Sequence, residues 1–124
     1  MPETILLVDD EAPLRQLVRS ILQTHGYTVL EASGGMDAIQ ICQQHEGPIH
    51  LLLTDVFMPE MNGRNLAERV TTLRPHTPVL YMSGSTDDVL VALFDRTRST
   101  ALIQKPFTTD ALASKVRAAL SAPR

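Results

Sequence analysis

The run IHLLLTD, residues 49–55, sets three leucines in succession and closes on an acid. Strict alternation would mark a strand with one wet face. An unbroken apolar run of this length marks a strand buried on both faces. TILLVD, residues 4–9, reads the same way. Strands buried on both faces belong to parallel sheets, because parallel neighbours need crossover connections and those lay helices over the sheet.

Working outward, YTVLEA (27–32), PVLYMS (78–83) and TALIQK (100–105) supply three more strands. Helical periodicity fills the gaps between them. Leu14, Leu17, Val18, Ile21 and Leu22 follow Pro13, which suits a first helical turn, and His25-Gly26 ends that helix. GGMDAIQICQQHEG (34–47) puts Ile39 and Cys42 on one helical face. Leu66, Val70 and Leu73 mark a third helix that must stop before Pro75. DDVLVALF (87–94) is read as a helix from its position, and Leu112, Val116 and Leu120 build the last one. The expectation is an α/β fold: a doubly wound five-stranded parallel sheet with helices on both faces, one domain over residues 1–124.

Composition agrees. The chain has 124 residues, 44% of them hydrophobic, enough for one core and too apolar for disorder. A net charge of −3 argues against nonspecific nucleic-acid binding. No apolar run approaches the roughly 18 residues of a membrane span. MPETILLVDDE carries acids and no basic n-region, unlike a signal peptide. Cys42 is the only cysteine, which excludes an internal disulfide and fits a reducing compartment such as the cytoplasm.

In a parallel sheet every strand's carboxyl end lies on one rim, where ligands bind. Here those ends carry Asp9 and Asp10, Asp55, Ser83 and Lys105. Singly, each has a bland reading: Asp9 and Asp10 as helix caps, Ser83 as a turn residue, Lys105 as a solvated loop residue. Together, three carboxylates, a hydroxyl and an ammonium suit a divalent cation and a phosphoryl group. Mg²⁺ would complete the neutralisation that Lys105 alone cannot supply. Without metal, at least one carboxylate should have its pKa raised by its neighbours. Gly34-Gly35 reads as a turn before a helix, not a phosphate loop. Met58, Met61 and Met82 read as packing, and His25, His45, His50 and His76 as surface or loop residues.

VDDE (8–11), LLLTDVFMPEMNG (51–63), MSG (82–84) and KPF (105–107), each after a strand, resemble the receiver domain of bacterial two-component response regulators. The resemblance covers nearly the whole chain and implies the strand order 2-1-3-4-5. It implies that Asp55 is the phosphoacceptor, taking a phosphoryl group from a partner histidine kinase or phosphotransfer protein. It further implies that Asp10 and Asp55 bind Mg²⁺ directly, with the backbone carbonyl of Phe57, and Asp9 through water. Ser83 would donate to the phosphoryl group, Lys105 would pair with it, and the Lys105-Pro106 bond would be cis. In that order a short serine reaches from the next strand, while a lysine must span two strands, roughly 10 Å. Leu102 departs from the family, which often has an aromatic there, so the link from Ser83 outward is expected to run through SGSTDDVLVALF (83–94).

Three other readings compete. An aspartyl-phosphate hydrolase usually needs a second acid two residues after its nucleophile, where this chain has Phe57. A flavin module should offer a phosphate loop after the first strand, where DDEAP would repel phosphate. A receiver-like scaffold would bind partners without phosphorylation. The reading preferred is a phosphoacceptor rather than a turnover enzyme, cytoplasmic, with no direct nucleic-acid or membrane partner. A downstream protein or a homodimer would receive its signal. With nothing after the last helix, the chain is expected to be a single-domain regulator or a receiver cut from a larger protein such as a hybrid histidine kinase.

Overall fold

The computed structural model describes residues 2–84 and 101–121. Five strands, β1 Thr4–Val8, β2 Thr28–Ala32, β3 Leu51–Asp55, β4 Val79–Ser83 and β5 Ala101–Gln104, form one sheet. Every pairing is parallel and the order is β2-β1-β3-β4-β5, as the resemblance implied. Among the described residues the helices are α1 Ala12–Thr24, α2 Gly35–Gln44, α3 Gly63–Leu73 and a C-terminal helix Thr109–Ser121. The expected helix over 87–94 lies outside the described residues.

The sheet divides the apolar interior in two, because side chains alternate along a strand. Ile5, Leu7, Leu51, Leu53, Leu80 and Met82 face α1 and the C-terminal helix, meeting Val18, Leu22, Leu112 and Val116. Leu6, Val8, Leu52 and Tyr81 face the other way, meeting Ile39 and Cys42 of α2 and Leu66 and Val70 of α3. All five residues of β3 are buried, which is why its sequence shows no alternation.

Local chemistry sets the helix limits. Gly26 ends α1 at φ 91°, a left-handed turn that glycine adopts without steric cost, and donates to the Gln23 carbonyl. α2 stops at Gln44, three residues short of the expected limit. Arg74, at the end of α3, explains this: its guanidinium donates to the carbonyls of Cys42, His45 and Gly47. The chain turns extended at His45 to present them. His50 lies in the loop before β3, as expected, and it has a structural partner there. The ring is half-buried, and its Nδ1 accepts the Thr4 N–H at 2.9 Å, tying β3's approach to the start of β1. Leu17, counted on the apolar face of α1, is 56% exposed, since the helix packs by its Val18 and Leu22 edge.

Candidate functional site

At the carboxyl rim, carboxylate oxygens of Asp9, Asp10 and Asp55 lie within 4.8 Å of one another. Asp9 is fully buried, Asp55 nearly so, and Asp10 faces solvent. β1 and β3 are adjacent in the sheet, so their ends bring these acids together. Lys105, just after β5, places Nζ 3.2 Å from Asp55 Oδ2 and 3.4 Å from Asp9 Oδ2. Its chain reaches past β4, as expected of a residue two strands away.

Ser83 ends β4, the strand beside β3, and is buried. Its carbonyl accepts the Lys105 N–H at 2.7 Å, so Ser83 and Lys105 are registered to each other through the backbone. The Lys105-Pro106 bond is cis. Phe57 stands exposed in the loop after β3. The segment from Ser85 to Phe94 lies outside the described residues. Leu102, on β5, packs half-buried against the cluster under α2 and α3.

Burial raises the Asp55 carboxyl from 3.8 to about 6, with Asp9 and Asp10 adding to the rise and Lys105 opposing it. Neighbouring charge, the cause expected from the sequence, contributes less. Desolvation is the larger cause, because the acid closes a strand with no wet face. At pH 7 a group with that value is still roughly nine-tenths ionised.

The capping role considered for Asp9 and Asp10 is not the one observed. The N-cap of α1 is Glu11, without a side-chain cap bond. Asp9 Oδ1 instead accepts the Glu11 N–H at 2.9 Å, which turns the chain so that Asp10 stands at the rim. Sequence reasoning missed Arg15. Its Nη1 donates to the Asp9 carbonyl at 2.8 Å while its Nε pairs with Glu31 of β2 at 3.2 Å. Arg19 pairs with the other Glu31 oxygen at 2.6 Å. A cation one turn into α1 thus holds the peptide that links the two acids.

The oxygen-only donor set suits a hard cation such as Mg²⁺, with three carboxylates and one ammonium leaving a net negative charge. Beside the rim, Leu14, Leu17, Ile21, Lys105, Pro106 and Phe107 line an open groove of about 500 Å³.

Comparisons with known proteins converge. The response regulator receiver domain family matches residues 5–117. The response regulator receiver protein CpdR of Brucella abortus is 33% identical over 118 residues, covering 95% of this chain and 97% of that protein. The sensor kinase CckA of the same organism is 32% identical over 114 residues; the match takes in 92% of this chain but only 12% of the kinase's length. A CheY-like receiver domain from Methanospirillum hungatei JF-1 superposes with a TM-score of 0.86 at 26% identity, covering 97% of this chain and 94% of that one. Among the described residues no helix is long and apolar enough to cross a membrane. The match begins inside β1, runs through every strand and reaches the C-terminal helix, so this chain belongs to the response regulator receiver domains, the phosphoacceptor signalling domains of two-component systems.

Proposed function

We propose that Asp55 accepts the phosphoryl group, that Asp9 and Asp10 assemble a Mg²⁺ site with it, and that Ser83 and Lys105 bind the transferred group. The observation that carries this is the convergence of Asp9, Asp10, Asp55 and Lys105 at one rim. An Asp55 carboxylate oxygen attacks the phosphorus of a phosphohistidine on the partner. The P–O bond forms as the P–N bond breaks. The imidazole leaves with the bonding electron pair and takes up a proton, and Asp55 becomes an acyl phosphate.

Asp10, Asp55 and the Phe57 carbonyl would hold Mg²⁺, with Asp9 acting through water, and the bound ion would supply charge neutralisation at the phosphoryl oxygens. The remaining roles fall to the chain. Lys105 now bridges two carboxylates, and its ammonium exchanges that pairing for the phosphoryl oxygens. Ser83 donates its hydroxyl from the adjacent strand. Phe57 offers no proton to a leaving group, which weighs against an aspartyl-phosphate hydrolase.

The partner is a histidine kinase or histidine phosphotransfer protein. A groove lined by the exposed Leu17 together with Lys105 supports a protein donor. Phosphorylation then changes the surface offered to a downstream protein or a second copy, in the cytoplasm, without nucleic acid or membrane. The only chemistry is self-phosphorylation and self-dephosphorylation.

Incubation with acetyl phosphate and Mg²⁺ followed by intact mass measurement tests the assignment. One phosphoryl mass is expected on the wild type and none on Asp55→Asn. An undiminished gain in Asp55→Asn would refute it.

A further inference from the structure

Three contacts act on the main chain around Asp55 rather than on its carboxylate. The buried Thr54 hydroxyl donates to the Asp55 carbonyl at 3.0 Å. The Val56 N–H donates to the Met82 carbonyl of β4 at 2.9 Å, and the Val56 carbonyl accepts the Gly63 N–H at 2.7 Å. The last bond draws the start of α3 onto the end of β3. A Cβ on Gly63 would collide with the Asp55 carbonyl oxygen and stand 3.1 Å from its carbon and 3.2 Å from Val56 Cα. All three atoms are backbone, so no rotamer change relieves the clash.

Conformation does not demand this glycine. Among the described residues only Gly26 and Gly47 take positive φ, and Gly63 opens a helix, where alanine would be the better former. What it provides is the space that a side chain would take. The other glycines near the rim differ. A Cβ on Gly35 would meet the side chain of Met61, at 2.6 Å from Sδ and 2.9 Å from Cβ. One on Gly34 would meet nothing within 4 Å.

We propose that Gly63 and Thr54 are positioning residues for the phosphoacceptor: the bare Cα of Gly63 and the hydroxyl of Thr54 fix the Asp55 carbonyl, and so the approach of its carboxylate to Lys105 and Asp9. This rests on Asp55 being the acceptor. The Asp55 side chain has only two torsions, so a shift of its main chain is passed on to the carboxylate. In-line transfer tolerates little misplacement.

The test uses the full chain and five variants: Gly63→Ala, Thr54→Val, Thr54→Ser, Gly35→Ala and Gly34→Ala. Each is unfolded in urea, its Asp55 carbonyl and carboxyl ¹³C resonances are recorded without metal, and its phosphorylation by acetyl phosphate is timed at saturating Mg²⁺. Gly63→Ala is expected to move both resonances and slow phosphorylation on the order of tenfold or more. Thr54→Val should move the same resonances and slow it roughly threefold, while Thr54→Ser, which keeps the hydroxyl, recovers the rate. Gly35→Ala should lose stability yet react at the wild-type rate, and Gly34→Ala should match wild type in both.

Equal slowing in Gly63→Ala and Gly35→Ala at equal loss of stability would reduce Gly63 to a packing residue and overturn the proposal. A wild-type rate in Gly63→Ala would do the same. Should Gly63→Ala fail to fold, Thr54→Val decides: unmoved Asp55 resonances and a wild-type rate overturn the proposal. A wild type that accepts no phosphoryl group would instead refute the reading of Asp55, and the metal-free resonances would still judge the positioning.

Discussion

Replacing Asp55 with asparagine should stabilise the metal-free protein at neutral pH, and by an amount that depends on pH. The folded carboxyl titrates at about 6 rather than 3.8. At about 1.36 kcal/mol per pH unit, that rise is a penalty of about 3 kcal/mol on the ionised folded state. Only 10% of the side chain is exposed, so solvent screening reduces the figure little. Below pH 4 both states hold the proton and the penalty is absent. Between about 4 and 6 the unfolded chain loses its proton while the folded chain keeps it, so stability falls as pH rises. Above 6 the loss is complete. Asparagine never ionises and escapes it. Titrating groups that do not interact with Asp55, such as Glu3 with its lowered carboxyl, are common to both proteins and cancel in the difference. Urea unfolding of both proteins in EDTA from pH 3.5 to 8 measures the effect. The advantage of Asp55→Asn should grow from near zero to about 3 kcal/mol. An advantage that is flat with pH, or a variant less stable than wild type at pH 7.5, would refute the argument.

Two further outcomes are expected. Arg74→Ala removes donors from three carbonyls at the end of α2 and should cost about 2 kcal/mol in urea unfolding. Arg74→Lys should recover less than half, since an ammonium lacks the planar fork; a cost below about 0.5 kcal/mol for Arg74→Ala would deny the guanidinium this role. By calorimetric titration, Asp10→Asn should weaken Mg²⁺ binding by about tenfold or more, and by more than Asp9→Asn does. Asp10 stands exposed at the rim, whereas Asp9 is already engaged by Glu11 and Lys105. Unchanged affinity in Asp10→Asn would exclude it as a direct ligand.

Four of the five strands were legible because each is a short apolar run closed by a polar residue at the same rim; β2, which ends on Ala32, was legible from its apolar run alone. Their ends moved inward by a residue or two, since Tyr27, Ile49 and Pro78 are apolar but lie outside the ladder. The strand order came from the family resemblance and not from periodicity, which carries no information about neighbours. Asp9, Asp10, Asp55 and Lys105 were found because residue type and position at a strand end coincide. Arg15 was not, because its partners are one carbonyl and an acid 16 residues away, and that pairing exists only once β1 lies beside β2. Arg74 was missed likewise, as it caps a helix other than its own. The role of Gly63 was not legible, because sequence alone does not say which backbone atom a missing side chain would strike.

Cys42, the sole thiol, is 4% exposed on the inner face of α2, and burial raises its pKa, with Arg74 opposing. Alkylating reagents attack thiolates, so in the closed protein this sulfur is shielded twice, by access and by protonation. Where reclosing outpaces alkylation, its rate follows the fraction of time for which the layer of α2 and α3 is parted from the sheet. Timed alkylation of the native chain therefore reports local opening free energy at one known place. A dye placed through a cysteine introduced at the surface leaves that reporter in its original setting.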